Sequence, residues 1–207
     1  MVEALVRPAR SDETDVLVEV LWADPSSEAA SLTGSAERAR QFGRLMVEAS
    51  SVPLWKSCMV AEVDGEVVGL LQQGTEEFGP SLRFLSAVVR VWGLGQSLRT
   101  LPRGWALQRV RVPTPADSWV VRELHVRPDL RNRGLGGLLL GQADTSARAA
   151  GFASVALTVR TNNPARRLYE RAGYRTVRLR THSWYRHWTG AEGRVLMVKA
   201  LPTATAP

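Results

Sequence analysis

A strand that runs into a glycine-rich turn and then a helix is the feature that most restricts how this chain can fold. Residues 119–126 form an apolar run typical of a strand. Residues 135–150 have helical periodicity, and Gly151 is placed to end that helix. The same alternation continues along the chain, which favours a single domain of the α/β class.

The turn between these two elements has the composition of a phosphate-binding site. Its sequence is Val126-Arg127-Pro128-Asp129-Leu130-Arg131-Asn132-Arg133-Gly134-Leu135-Gly136-Gly137. The first turn of a helix presents unpaired N–H groups and the positive end of the helix dipole, and glycines let an anion approach the backbone. Glycines at such a position can also serve the turn alone. No Gly-Lys-Ser/Thr follows, and the Gly-x-Gly-x-x-Gly spacing is absent, so neither common nucleotide motif is present.

The remaining periodicities predict six more strands and three more helices. Asp64-Gly65 predicts a tight hairpin, because both residues tolerate positive φ. The predicted strands are residues 4–8, 57–63, 66–74, 153–160, 176–180 and 195–201. The predicted helices are residues 11–23, 35–49 and 164–172, the last capped by Asn162 or Asn163.

Residues 78–116 fit no simple strand or helix repeat, and we treat them as an insertion. They contain six arginines and no acidic residue. Apolar positions at helical spacing predict a basic amphipathic helix over 82–92, a break at 93–95 and a second helix near 97–101. Four uses are compatible with this pattern: a lid over a substrate, a dimer contact, an anionic-surface contact, or a helix that packs on the sheet.

The chain is strongly basic, with a net charge of +7 and 25 Arg against 2 Lys. Such a charge suits nucleic acid or a polyanionic cofactor, but arginine-rich chains are also common in GC-rich bacteria and no nucleic-acid motif accompanies it. No Cys/His cluster has metal-ligand spacing. The sequence lacks a signal-peptide pattern at its start and an apolar run of roughly 18 residues, so we expect a cytoplasmic protein.

Two segments resemble the GNAT superfamily of N-acetyltransferases. Arg131-x-x-Gly134-x-Gly136, preceded by Leu124-His125-Val126-Arg127-Pro128, is similar to its acetyl-CoA-binding motif. The segment 162–174, Asn-Asn-Pro-Ala-Arg-Arg-Leu-Tyr-Glu-Arg-Ala-Gly-Tyr, is similar to a second family motif, in the family's order and at a typical separation. The opening Val6-Arg7-Pro8-Ala9 also resembles the family's first strand. The match is good over residues 119–175 and weaker over 4–76.

The resemblance implies a mixed, mostly antiparallel sheet, flanked by helices, that splays open between its fourth and fifth strands. Acetyl-CoA would enter the split, and the insertion would lie between the third and fourth strands. Backbone N–H groups would hold the pyrophosphate at Arg131, Arg133, Gly134, Leu135, Gly136 and Gly137. The strand at Leu124, His125 and Val126 would pair with the pantetheine arm, the N–H near Val126 would hold the oxyanion, and Asn162 and Tyr169 would lie near the sulfur.

Amine acetylation needs a base, because an alkylamine is protonated at neutral pH with a pKa of about 10.4. Glu123 occupies a position where the family often has Glu, and it is the first candidate. His125 is the second, because its ordinary pKa suits proton transfer. Tyr169 matches the family tyrosine that faces the leaving thiolate, and it is the candidate acid. Glu123 paired with an arginine and Tyr169 simply packed are the structural alternatives.

Other features leave the acceptor open. Cys58 is either an acyl carrier or a buried thiol, and its place on an early strand favours the second. The residues 182–188, rich in Trp and His, either border the acceptor or pack internally. We expect a small-molecule amine as acceptor. A protein N-terminus or lysine, a longer acyl donor, a homodimer, and a non-catalytic CoA-sensing module are the alternatives.

Overall fold

The computed structural model describes residues 4–22, 27–50, 52–75 and 82–202. Within them, seven strands form one sheet: β1 (Leu5–Pro8), β2 (Cys58–Val63), β3 (Glu66–Gly74), β4 (Trp119–Val126), β5 (Ser154–Arg160), β6 (Arg175–Thr181) and β7 (Gly193–Ala200). Seven α-helices accompany them: α1 (Thr14–Trp22), α2 (Glu28–Thr33), α3 (Ala36–Ala49), α4 (Leu82–Val110), α5 (Leu135–Ala149), α6 (Arg166–Arg171) and α7 (Ser183–Thr189).

The strand order is β1-β2-β3-β4-β5-β7-β6. All neighbours pair antiparallel except β4 and β5, which are parallel. The predicted mixed, mostly antiparallel sheet is therefore confirmed. The predicted hairpin between β2 and β3 is also present, with φ of 51° at Asp64 and 81° at Gly65.

Two apolar cores lie on the sheet. Helix α5 contributes Leu139 to a core that contains Leu157 of β5 and Met197 of β7. Helix α1 contributes Leu17 to a second core with Leu70 of β3. Helices thus flank the sheet, and burying these apolar side chains on its strands stabilises the fold.

The insertion lies between β3 and β4, as predicted, and most of it is helical. Helix α4 breaks at Gly93, where φ is 74° and ψ is 161°, so the predicted break is confirmed. The second half extends beyond the predicted 97–101 to Val110. Pro102 lies inside this second half. Because proline has no N–H to donate, a proline in a sequence usually indicates the end of a helix, and the continuation to Val110 was not predicted. Residues 78–81 lie outside the described part of the chain.

Four local predictions need correction. Residues 28–33 form α2, which was not predicted, because its six residues are too few to show periodicity; Ser27 Oγ accepts from the N–H of Ala30 at 3.1 Å and caps it. The predicted helix 11–23 begins as a 3₁₀ turn, becomes α-helical at Thr14, and is followed to Trp22 in the described chain. The segment before β7 forms α7, and the predicted helix 164–172 is shorter, Arg166–Arg171.

Candidate active site

The sheet opens between β4 and β5, as the fold prediction required. These strands pair only over Trp119–Val121 and Val155–Leu157. Beyond Val121, β4 continues to Val126 and pairs with β3 on its other side. Among the described residues, the backbone edge of β4 that faces β5 is therefore open at its carboxyl end.

Backbone N–H groups of β4 point alternately to β3 and to this opening. The N–H of Arg127 donates to the carbonyl oxygen of Val68 in β3 at 2.8 Å. Because consecutive residues of an antiparallel strand direct their hydrogen-bonding groups to opposite sides, His125 faces β3 in the same way. Leu124 and Val126 consequently present their N–H groups to the opening.

A β-bulge at Arg122 shapes the start of this opening. Val121 pairs with Gln73 and Glu123 pairs with Gln72, so Arg122 is the extra residue in the ladder. A bulge bends its strand and redirects the side chains that follow it. After the bulge, Glu123 Oε2 and His125 Nε2 lie 3.4 Å apart.

The three glycines at the start of α5 have different roles. Gly134 is the N-cap and has a φ of 92°, which favours glycine. A Cβ on Gly136 would lie 2.8 Å from Leu168 Cδ2 of α6, so a larger residue there would require the leucine side chain to shift. A Cβ on Gly137 would meet no described atom within 4 Å. Gly134 has no side chain that could cap the helix, and the N–H groups of the first turn have no partners within the helix.

The two arginines of the turn differ in their surroundings. Arg131 Nε donates to the carbonyl oxygen of Val126 at 3.0 Å, which fixes the end of β4 to the turn. Asn132 follows in the left-handed region, with a φ of 62°. Arg133 is exposed beside the start of α5. A basic, open and glycine-lined helix N-terminus is thus formed, as the turn sequence indicated.

Tyr169 lies on α6 and is buried. Burial raises the pKa of its hydroxyl well above the ordinary value, and the negative charge of Glu123 raises it further. The hydroxyl therefore keeps its proton at neutral pH. The predicted base and the predicted acid line the same cavity.

Asn162 and Asn163 are adjacent in sequence, but they have different surroundings. Asn163 Oδ1 accepts from the N–H of Ala165 at 2.8 Å, and Asn163 lines the same cavity as Glu123 and Tyr169. Asn162 is exposed and is not among the residues that line this cavity. The prediction that Asn162 or Asn163 caps α6 is wrong, because the N-cap is Ala165, which has no side-chain cap; Asn163 instead stabilises the turn that leads into the helix.

A cavity of about 550 Å³ brings together the predicted catalytic residues, whereas the predicted phosphate-binding residues 131–137 are not among those that line it. Glu123, His125 and Tyr169 line it from β4 and α6, and helices α1, α2 and α4 contribute to its walls. This volume lies within the range of small-molecule sites. A second cavity, of about 810 Å³, adjoins it, and both are lined by Glu123.

Glu28 and Arg194 form an ion pair in the first cavity that no sequence motif marked. Arg194 Nη1 lies 3.3 Å from Glu28 Oε2, and its Nη2 donates to Thr158 Oγ1 at 2.8 Å. The hydroxyl of Tyr185 donates to the other carboxylate oxygen of Glu28. These contacts join α2, α7, β5 and β7. Their residues are far apart in sequence, so spacing alone could not reveal them.

Comparison with known proteins agrees with this geometry. The family model described as the acetyltransferase (GNAT) family matches residues 22–174. The chain belongs to this GNAT acetyltransferase family. The predicted enzyme class is therefore confirmed, and acetyl-CoA is the acetyl donor of the family. No curated protein matches the chain significantly.

Several solved structures share the GNAT fold with this chain at low sequence identity. One described as an acetyltransferase has 19% identity and a TM-score of 0.62, and covers 96% of this chain and 100% of its own. The PaiA N-acetyltransferase of Thermoplasma acidophilum, solved with coenzyme A, has 14% identity and a TM-score of 0.57, covering 96% and 99%. The polyamine N-acetyltransferase of Drosophila melanogaster, which forms N-acetylagmatine, has 19% identity and a TM-score of 0.51, covering 96% and 100%.

Two features of this GNAT domain lie away from the active-site cavity. Cys58 is buried in β2, and burial raises the pKa of its thiol to about 12, so it is protonated at neutral pH and is a poor nucleophile. In the aromatic segment 182–188, Trp184 packs edge-to-face on Trp105 of α4, with ring centroids 5.7 Å apart. None of that segment lines the cavity, so internal packing, with the Tyr185 contact to Glu28, describes it best.

The described residues contain neither a helix long and apolar enough to cross a membrane nor a grouping of three or more His, Cys, Asp or Glu side chains fit to hold a metal ion.

Proposed function

We propose that this GNAT enzyme transfers the acetyl group of acetyl-CoA to the primary amine of a small molecule, with Glu123 as general base and Tyr169 as general acid. The observation that carries the proposal is that Glu123 and Tyr169 line one cavity at the opening between β4 and β5. The volume of this cavity lies within the range of small-molecule sites, which favours a small acceptor over a protein chain.

The described residues fit CoA. The first-turn N–H groups of α5 and the guanidinium of Arg133 would hold its phosphates, because both carry positive charge. Space for the phosphates is available at Gly137, where an added Cβ would meet no described atom within 4 Å. The open edge of β4 would pair with the pantetheine arm through the N–H of Leu124. The N–H of Val126 would also stabilise negative charge on the acetyl oxygen. Bound acetyl-CoA supplies the activated thioester.

Glu123 is placed to accept the proton of the amine. Its side chain is 52% exposed, so water can reach the carboxylate and relay the proton. His125 Nε2 lies close enough to orient that carboxylate. The amine nitrogen then forms a bond to the acetyl carbon as the carbon–sulfur bond breaks.

Tyr169 is placed to protonate the departing thiolate. The hydroxyl of a tyrosine is protonated throughout the physiological range, so it can donate a hydrogen bond to the sulfur as negative charge develops there and can then give up the proton. Asn163, in the same cavity, holds the turn that begins α6 and so fixes where Tyr169 lies. Asn162, exposed on the same turn, remains a candidate for contact with the CoA arm.

The test combines binding with turnover. Isothermal titration should show micromolar binding of acetyl-CoA, and an amine panel should give amine-dependent thiol release with the acetylated amine identified by mass. The Glu123→Gln/Tyr169→Phe variant should retain acetyl-CoA binding and lose transfer. Binding of acetyl-CoA without transfer to any amine, peptide or protein in the wild-type enzyme would instead establish a CoA-sensing module.

A further inference from the structure

The residues that surround Glu123 also restrict the chemistry of the acceptor. The inserted helix α4 presents large apolar side chains to the first cavity from both sides of its break at Gly93. The exposed members of this set, the α4 wall, are 41–64% exposed: Leu85, Val89, Leu94, Leu98 and Leu101. Exposed apolar side chains gathered on one wall of a concave site favour an apolar ligand.

The arginines of α4 do not contribute to this wall. Arg83, Arg90, Arg99 and Arg109 are exposed, and none of them lines either cavity. Arg103 stacks on Trp188, with its guanidinium carbon 4.6 Å from the ring centroid. The arginines of α4 therefore lie outside the first cavity, and the apolar face of α4 lies inside it.

A second ammonium group on the acceptor would find no free carboxylate here. Among the described residues, the carboxylates that line the two cavities are those of Glu123 and Glu28. Glu28 already pairs with Arg194 and accepts from Tyr185. Of these two described carboxylates, that of Glu123 is left for the acceptor, and one carboxylate suits one ammonium group.

An anionic group on the acceptor is also poorly served. The cations of the cavities are Arg111, Arg122, Arg160 and Arg194. Arg194 is held by Glu28 and Thr158. The other three already interact with other groups. Binding of an acceptor carboxylate or phosphate would compete with these interactions.

We infer that the acceptor is a monoamine with an apolar alkyl or aryl body, which packs on the α4 wall while its amine reaches Glu123. This inference rests on the proposed function. It names the acceptor class and gives the insertion a role in selecting it. Burying one methylene group on an apolar surface improves the specificity constant about fourfold.

The test uses amines of matched length with acetyl-CoA. Hexylamine should exceed propylamine in kcat/KM by roughly 10- to 60-fold, because three more methylenes are buried. Hexylamine should also exceed 1,6-diaminohexane and 6-aminohexanoate, which have the same chain and one extra charge. Equal use of propylamine and hexylamine, or preference for either doubly charged amine, would overturn the inference and leave the acetyltransferase assignment intact.

A pair of variants locates the effect on the α4 wall. Leu98 and Leu179 are both leucines with 53% exposure, but only Leu98 lines the cavity. Leu98→Gln should flatten the dependence of kcat/KM on chain length, and Leu179→Gln on β6 should preserve it. A similar response of the two variants would contradict a role for the wall.

A binding measurement separates this inference from the proposed function. Wild-type protein saturated with CoA, which cannot transfer an acetyl group, is titrated calorimetrically with the same amines. Tighter binding of hexylamine than propylamine, lost in Leu98→Gln, would support the apolar site even if no acetylation occurred. No dependence on chain length in both turnover and binding would overturn it.

Discussion

The carboxylate of Glu123 and the imidazole of His125 lie on the same side of β4, with 3.4 Å between Oε2 and Nε2. Residues i and i+2 share a face in a regular strand. The bulge at Arg122 precedes both residues and leaves this alternation intact between them. Their proximity makes the two side chains a unit: an imidazole beside a carboxylate can orient it and share its proton.

Substituting Glu123 and His125 separately should distinguish the general base from the residue that orients it. Glu123→Gln should lower kcat by about 10²–10⁴-fold, the usual contribution of a general base. His125→Gln should lower it by no more than about tenfold, because the carboxylate remains. Steady-state thiol release measures both, and thermal unfolding serves as the folding control. A loss that is larger for His125→Gln would make His125 the base.

The neighbouring residue Tyr174 provides a matched control for the substitution of Tyr169. Tyr174 is also buried, with a ring centroid 6.0 Å from that of Tyr169, but it does not line the cavity. Tyr169→Phe should lower kcat by about 10²-fold or more while acetyl-CoA still binds. Tyr174→Phe should leave kcat unchanged, since it removes only a hydroxyl without a hydrogen-bond partner in the described structure. Equal effects of the two would argue for packing alone.

The α5 glycines allow the phosphate site to be tested without disturbing packing. Gly137→Asp introduces a negative charge into open space at the helix start, and should weaken acetyl-CoA binding by about tenfold or more through repulsion of the phosphates. Gly141→Asp adds the same charge in open space further along α5 and should leave the Kd nearly unchanged. Calorimetric titration compares them; equal Kd values would place the phosphates elsewhere.

Sequence patterns predicted the parts of the site that depend on local chain geometry. The turn before α5 and the break at Gly93 are set by residues that tolerate positive φ, so they show in the sequence. The distinct roles of Gly136 and Gly137 do not, because only the approach of Leu168 from α6 separates them. The position of Asn163 rather than Asn162 on the cavity also depends on how the turn folds.

Contacts between distant segments could not be predicted in the same way. Glu28 meets Arg194 only because the sheet brings β7 beside β5 and α2 packs over that edge. Helix α2 itself has six residues, too few for a periodic signal. The α4 wall could not be predicted for a similar reason. The sequence of α4 indicated an apolar face, but the position of α4 near β4 in the folded protein determines that this face lines the first cavity.

The ion pair between Glu28 and Arg194 should matter for stability. Arg194→Met removes the cation and leaves the partly buried Glu28 carboxylate with Tyr185 alone, which should lower the free energy of unfolding by about 1–3 kcal/mol. Glu28→Gln/Arg194→Met should recover part of that loss, because neither charge then remains unpaired. Urea unfolding of the single and double variants measures the coupling, and strictly additive losses would show that the pair is not coupled.

The buried thiol of Cys58 should make stability fall at alkaline pH. Burial raises its pKa from 9.0 to about 12. Between these values the unfolded chain loses the proton and the folded protein keeps it, so the stabilisation is complete below pH 9 and is lost as pH rises toward 12. This thiol alone contributes a slope of up to about 1.4 kcal/mol per pH unit. Cys58→Ala should show a shallower decline in urea unfolding between pH 8 and 11. An unchanged slope would mean that the thiol titrates alike in both states, and the decline would then belong to the buried tyrosines, whose pKa values burial also raises.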